Sequence, residues 1–596
     1  MRVTYSVGVE QPHEHRAQFS LRIDEPPTGP IDVVFPSWVP GSYVLRPIAR
    51  NVRGVRATAE PSGQPVTIVR VDKARWRLTP RPDEALRVEY TVYGHELITE
   101  ALDVTEEHLF LNAALCLPYV DGHQREPCDL ELHIRPEWTI VTELRQVERL
   151  PPTFRAANYD ELVDSPIDCG APVVLPITPG GIAHRIVLCG KGGNYEAHRL
   201  ESDLGKIVEA TAKLFGELPA EPYTFFFHLT DRRDGGLEHR RSTSIVVPRT
   251  VFRPESDYLG FLKLSTHEYF HRYNVKRIRP RVLGPFDYTQ ENYTRLLWAM
   301  EGTTDYYTPL LLRRAGLLTP AKYLEGLAKD IRVYREIPGR LVTSLEDASF
   351  GAWIDLYQPF EESVNQSVSY YLKGGLVSLC LDLEIRQRSE NRSSLDAVLR
   401  TLWTEFGARD IGLGEEELRT VAERTTGLDL SDFFRRYISG TDEIDFAAFL
   451  RAAGLAVSPE EKKEEAGDDL PSGYLGIEFE NANGFARVRS VRAGSPGRLA
   501  GISPGDEILA LDHGRVAFDQ FASSLKRYPA GSRADLAVFR RGYLTHLTIT
   551  TGSAPPEKLL IRPIDDAAPG ARKIYESWLE TAWPPPRSPG PEPARS

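Results

Sequence analysis

The feature that most limits how this chain can fold is a five-residue run, His267-Glu268-Tyr269-Phe270-His271, which has the pattern HExxH. Two histidines four apart can reach one metal ion when the segment is helical, because residues i and i+4 then project from one face, a turn apart. The pattern therefore predicts a helix. Leu259, Leu262, Phe270 and Tyr273 give that helix apolar faces, so it is expected to be buried. Glu268 stands between the two histidines, where it can hold the water that a zinc ion would bind. The competing structural reading is a pair of core histidines with a partnered glutamate.

A zinc site that does chemistry takes three protein ligands and keeps one position open. The best third ligand is Glu301, in the apolar run Trp298-Ala-Met-Glu-Gly-Thr-Thr-Asp-Tyr-Tyr307. Glu291 is the alternative, but its neighbours from Thr289 to Thr294 are polar and turn-like. Asp305 follows Glu301 by four residues on the same helical face. A carboxylate there suits the second N–H of a ligating histidine and would fix its tautomer. The expected cofactor is one Zn2+ per chain, although imidazole and carboxylate ligands also suit other divalent ions. Zinc lowers the pKa of bound water towards about 7 and polarises a carbonyl. Glu268 would take the proton from that water and pass it to the leaving amine. Spacing alone does not choose the donor that meets the oxyanion.

With 596 residues, one core is not enough, and several domains are expected. The reading is multidomain α+β. Residues 1–165 show short alternating runs such as Leu86-Arg-Val-Glu-Tyr-Thr-Val92, broken by Pro and Gly turns, and are expected to form an all-β domain without helices. Residues 166–458 are expected to be mostly helical, with some strands at the front. There, Leu204, Ile207, Val208, Thr211, Leu214 and Phe215 fall on one helical face, and Thr319-Pro320 is a helix start. Residues 459–470 read as a charged linker. Residues 471–555 form a compact β-rich unit. The tail, 556–596, holds a short helix near Ile574 to Leu579 and ends in the Pro-rich PPPRSPGPEPARS, expected to be disordered.

Several function classes fit poorly. The net charge is -12 and no window is rich in Lys and Arg, so nothing favours nucleic acid. No stretch reaches the roughly 20 apolar residues that cross a bilayer. The first residues alternate as a strand (Val3, Tyr5, Val7, Val9) and show no signal-peptide core. Cys116, Cys128, Cys169, Cys189 and Cys380 form no CxxC pair, so neither a disulfide framework nor a cysteine metal site is suggested. They are expected to be small buried hydrophobes in a cytoplasmic protein.

The segments HEYFHRYNVKRIRP (267–280) and LGPFDYTQENYTRLLWAMEGTTDYY (283–307), with PSWVPGSYVLRPIARNV (36–52), resemble the glycyl aminopeptidase family, metallopeptidase family sixty-one. That resemblance implies a gluzincin with a thermolysin-like helical catalytic domain behind an N-terminal β-domain. It also implies two site roles. Gly235-Gly236-Leu237-Glu238-His239, after Asp234, looks like the wider clan's GxMEN motif, whose glutamate binds the substrate's free α-amine. This maps onto Glu238, with Gly235 and Gly236 beside the substrate. The sequence departs at His239, where the clan usually has Asn. Ser369-Tyr370-Tyr371-Leu372-Lys373-Gly374 is similar to the clan's YxKG segment, whose tyrosine donates to the oxyanion. This maps onto Tyr371, while Tyr370 is one residue out of register. Lys276, Arg277 and Arg279 fall in the loop between the two metal segments, where structural ion pairing is expected of them, with binding of a substrate carboxylate as the alternative.

Tyr474-Leu475-Gly476-Ile477, with Ala500-Gly501-Ile502-Ser-Pro-Gly505-Asp506-Glu-Ile508-Leu509, resembles a PDZ domain. Such domains add a peptide as an extra strand and hold its terminal carboxylate on loop N–H groups. A peptide C-terminus, or the chain's own tail, is the expected ligand. The leading expectation is a zinc aminopeptidase acting on peptides, with the family implying small N-terminal residues, Gly or Ala. A zinc endopeptidase or other amide hydrolase, and a non-catalytic peptide-binding scaffold bearing the PDZ domain, are the alternatives. Retention of both histidines and Glu268 argues against the last.

Overall fold

The structure is a computed structural model that describes residues 1–232, 235–460 and 473–583. Asp234, most of the expected charged linker (from 461) and the Pro-rich end (from 584) lie outside the described residues. The chain forms two compact units. The first comprises Met1–Thr294, Tyr307–Leu317 and Leu399–Leu418. The second comprises Arg295–Tyr306, Leu318–Val398 and Arg419–Ser596.

The first unit begins with β-structure. A seven-stranded sheet includes Arg2–Gly8, Arg16–Asp24 and Ala85–Tyr93 side by side. In Arg2–Gly8 the expected alternation appears, with Val3, Tyr5 and Val7 buried. Two four-stranded sheets accompany it, one of which contains Leu109–Leu111 and Ile167–Gly170 as neighbours. The all-β expectation is departed from by three short 3-10 turns, Pro12–Glu14, Ile48–Asn51 and Ala113–Leu115, and by one α-helix, Tyr159–Val163. Asn158 caps it by accepting from Glu161 N, and Asp160 and Glu161 occupy its first turn. Five residues are too few to show a helical period, so the cap was its main sequence signal.

A five-stranded mixed sheet follows. His184–Cys189, Tyr223–Thr230 and Ser242–Pro248 run parallel, and Gly235–Glu238 forms its edge, antiparallel to Ser242–Pro248. The helix Ala197–Phe215 buries Leu204, Ile207, Val208, Thr211, Leu214 and Phe215, the face expected from spacing, and Leu200 and Asp203 besides. Phe215 stacks on Tyr273 with ring centroids 4.1 Å apart.

In the second unit, Pro320–Arg335 is capped as expected, with Thr319 accepting from Lys322 N. The helix Tyr370–Arg388 is buried along much of its length. Its Asp382 accepts from Tyr306 at 2.7 Å and pairs with Arg386 at 3.1 Å. The tail helix is longer than expected, Pro569–Leu579, because Pro569 starts it a turn earlier. Its Trp578 donates to Tyr306 Oη at 2.9 Å. The PDZ sheet runs in the order Ile477–Ala482, Phe485–Val491, Glu507–Leu511, Arg533–Arg540, Tyr543–Thr550. Asn365 ties this module to the helical part, donating to Val491 O at 2.9 Å and accepting from Ala493 N at 2.7 Å. All five cysteines are buried and reduced. Among the described residues no helix is long and apolar enough to cross a membrane.

Candidate active site

The HExxH segment is the last turn of the helix Glu255–Phe270, and His271 is its C-cap residue. The expected helix thus ends earlier than Tyr273. His271 keeps helical dihedrals (φ -61, ψ -19), so both imidazoles still leave from one side. Their Nε2 atoms lie 3.0 Å apart. At this distance His267 Nε2–H can donate to His271 Nε2, and the same two nitrogens are placed to turn their lone pairs on one cation. The other nitrogen of His271, Nδ1, donates to Asn274 O at 2.8 Å. That bond fixes the tautomer and leaves the Nε2 lone pair for a metal. A backbone carbonyl thus does for His271 what a carboxylate was expected to do for a ligating histidine.

Glu268 is buried between them. Atoms of Glu238, Glu268 and His271 able to bind a cation lie within 4.8 Å of one another. Two carboxylates are thus gathered beside one of the imidazoles. Glu238 reaches this place at the end of the edge strand Gly235–Glu238. Two glycines make room. A Cβ on Gly236 would collide with the Glu268 carboxylate. A Cβ on Gly41 would lie 2.6 Å from Glu238 Oε1, and Gly41 has φ +87, where side chains are strained. Nothing in the sequence marks the contact of Gly41 with Glu238.

His239, the departure from the GxMEN pattern, is buried and holds Asp164 Oδ1 at 3.4 Å. Lys276 holds the same oxygen at 2.6 Å. Burial works to raise the Asp164 carboxyl, but Lys276 and then His239 outweigh it and hold it well below the usual carboxylate range. Arg279 and Arg240 both pair with Asp410, at 2.9 and 3.2 Å. Arg277 donates to the Arg240 and Arg272 carbonyls. These cations are used for structure, as expected. A cleft of about 960 Å³ opens beside Glu238, with Trp38, Tyr43, Asp160, Lys276 and Asp410 in its walls.

In the second unit, Glu301 is buried in a π-helical turn, Trp298–Gly302. Such turns concentrate at functional sites because the extra residue redirects a side chain. Trp298 N donates to Ser349 Oγ at 3.0 Å and anchors the turn. A Cβ on Gly302 would meet Gly374 backbone at 2.6 Å, so the turn packs directly on the helix Tyr370–Arg388. Asp305 is half-buried one turn further on. Glu291 sits in an irregular loop and joins no metal-capable cluster among the described residues.

Ser369 caps the helix of the YxKG-like segment, accepting from Leu372 N. Tyr370 is fully buried and Tyr371 half-buried. Burial raises the Tyr370 hydroxyl, and the charges of Tyr357 and Glu301 add to this. Tyr357 Oη lies 3.1 Å from Tyr370 Oη and 3.3 Å from Tyr371 Oη. Tyr357 had no motif to mark it in the sequence. Lys373 donates to the Arg340 and Thr343 carbonyls at 3.1 and 3.2 Å.

In the PDZ loop, Gly476 has φ +69, and a Cβ there would collide with Ser495, so only glycine suits the turn. Leu475 O accepts from Gly497 N, and Gly476 O accepts from Arg492 N, both at 2.8 Å. The strand Ile477–Ala482 ends the sheet, and Phe479 on it packs edge-on against Phe518 and Phe521 of the helix Phe518–Leu525.

Three family models match. The model of the M61 glycyl aminopeptidase matches residues 260–377, that of the peptidase M61 N-terminal domain residues 4–171, and that of the PDZ domain residues 473–551. The first of these spans His267, Glu268, His271, Glu301 and Tyr371 in one alignment. No curated protein matches the sequence. Among solved structures, an aminopeptidase N family protein from Idiomarina loihiensis is 29% identical, with a TM-score of 0.88, over 97% of this chain and 100% of that one. An M1 zinc metallopeptidase from Deinococcus radiodurans is 15% identical, with a TM-score of 0.49, over 74% of this chain and 94% of that one. The models of that family's N-terminal and catalytic domains thus both match this chain, in that order, with a PDZ domain model after them.

Proposed function

We propose that the chain is a zinc aminopeptidase that removes N-terminal residues, small ones first, from peptides. The observation that carries this reading is the placement of Glu238. A carboxylate lies within 4.8 Å of Glu268 and His271, where a Cβ on Gly41 would collide with it, and a cleft opens beside it. An anion so close to the reacting groups suits a substrate ammonium, and it limits cleavage to the first peptide bond. The description of the Idiomarina loihiensis protein as an aminopeptidase N family member agrees with this.

His267, His271 and Glu301 would hold one Zn2+. The donor set fits: two imidazoles converge, one with its tautomer fixed, and the family model that covers both also covers Glu301. When bound, zinc supplies a lowered water pKa and a polarised carbonyl. Glu268 takes the proton from the attacking water and later delivers it to the departing amine. Tyr371 donates to the oxyanion; its half-buried hydroxyl can face substrate, whereas the Tyr370 ring is enclosed. Asp305 supports a ligating histidine. Gly235 and Gly236 let substrate backbone lie against the edge strand, as peptides do on open sheet edges. At the PDZ module, Tyr474, Leu475, Gly476 and Ile477 receive a peptide C-terminus, and the unpaired side of the Ile477–Ala482 strand takes its backbone.

Hydrolysis of Gly- and Ala-p-nitroanilide tests the reading. Turnover should vanish with a chelator, return with zinc and fail on the N-acetylated substrates. Equal cleavage of the acetylated forms would contradict an aminopeptidase.

A further inference from the structure

A second group of metal-capable side chains lies in the first unit, built from other elements than the HExxH helix. Asp168 stands on the strand Ile167–Gly170, Cys189 at the end of His184–Cys189 and His228 on Tyr223–Thr230. Cys189 and His228 are direct neighbours in the parallel pair. One carboxylate oxygen, the thiol sulfur and one ring nitrogen lie within 4.8 Å of one another. The three residues are 1%, 4% and 0% exposed.

The polar atoms here are poorly served by the protein. Neither ring nitrogen of His228 has a hydrogen-bond partner, and neither has Asp168 Oδ2. His228 Nδ1 faces that carboxylate at 3.9 Å, beyond hydrogen-bond range. Each such buried orphan costs about 1–3 kcal/mol, and several in one place call for a missing partner. The Phe110 ring, 4.4 Å from the imidazole centroid, holds His228 in place and offers it no polar atom.

We propose that Asp168, Cys189 and His228 form a second, buried site for a divalent transition ion, of which Zn2+ is the type case. Imidazole, thiolate and carboxylate are the three ligand kinds that zinc accepts, and here they supply three of the four positions of a tetrahedral shell, the fourth falling to a small ligand such as water. Ligand atoms in such a shell sit about 2.0–2.3 Å from the ion, so three atoms already within 4.8 Å need move little to close on it. Charge also balances. On binding, Cys189 releases its proton to solvent, and the dication then meets one thiolate and one carboxylate. The result is a neutral set of ion and ligands, which suits a buried site better than a carboxylate served only by the Cys189 thiol and by His108 nearby. The site ties Ile167–Gly170 to two strands of the five-stranded sheet, so its role is structural. No CxxC spacing marks it, which is why the cysteines read from sequence as plain hydrophobes.

The test uses the full chain carrying His267→Ala and His271→Ala, which removes the HExxH ligands and leaves this cluster intact. Purified from zinc-containing medium, the variant should hold one zinc per chain. Zinc-edge X-ray absorption should show one sulfur at about 2.3 Å. Exchange for Co2+ should give a near-ultraviolet thiolate-to-cobalt charge-transfer band, which a site of imidazoles and carboxylate cannot produce. Adding Cys189→Ser should remove both metal and band. A double variant that is folded but metal-free, or that holds metal with no sulfur ligand, would overturn the proposal. The absorption measurement decides the matter even where Cys189→Ser does not fold.

Discussion

The two histidine-bearing clusters of the first unit are built in opposite ways. One takes both its histidines and its glutamate from a single helical turn, His267 to His271, and borrows Glu238 from an adjacent strand. The other takes Asp168, Cys189 and His228 from three strands that are tens of residues apart in sequence. The first has a half-exposed histidine and a cleft alongside Glu238; the second is sealed. The difference teaches that exposure and locality go together with reactivity here. A site meant for substrate keeps one face open, whereas a site closed on every side can only hold the fold together.

Breaking the first cluster should have the largest effect. His271→Ala removes a proposed ligand, so peptide turnover should fall by more than the about 10²-fold cost of losing a supporting hydrogen bond, with one metal equivalent lost by elemental analysis. If the two clusters are independent, the other equivalent stays. Gly236→Ala comes next. Its new methyl meets the Glu268 carboxylate, and a displacement of roughly 1 Å at a reacting group costs about 10²-fold in kcat. Metal content should not change, which separates positioning from binding. Glu238→Gln should lower kcat/KM by about 10–100-fold, the worth of a charge-assisted hydrogen bond of about 1.5–3 kcal/mol. It should also weaken the discrimination between free and N-acetylated substrates, read from paired Michaelis–Menten curves. The smallest effect is a matter of order. Brief chelation at neutral pH should strip activity before the second metal equivalent leaves, because His267 is accessible and Asp168, Cys189 and His228 are not. Simultaneous loss of both would mean that the sealed cluster is not sealed.

The same contrast explains what could be read from the sequence. The HExxH helix was legible because its two histidines obey one local period. So were the Ala197–Phe215 face and the Thr319 cap, each set by local spacing, whereas the PDZ loop at Gly476 needed a resemblance. Glu301 was legible through its apolar surroundings, but the π-helical turn that carries it was not, since no residue type specifies such a turn. Glu238 and Tyr371 needed the family resemblance. The Gly41 contact, the Asn274 carbonyl on His271, the Tyr357 hydroxyl and the Asp168 cluster were invisible. Each depends on two distant segments meeting, and periodicity reports only on neighbours along the chain.

Glu268 is the proposed general base, and one substitution tests that role. Glu268→Gln keeps the size and the burial of the side chain but removes the base. Turnover of Ala-p-nitroanilide should drop by about 10²–10⁴-fold while the bound metal, counted in the same sample, stays at the wild-type level. Wild-type turnover in a variant with its metal intact would contradict the account.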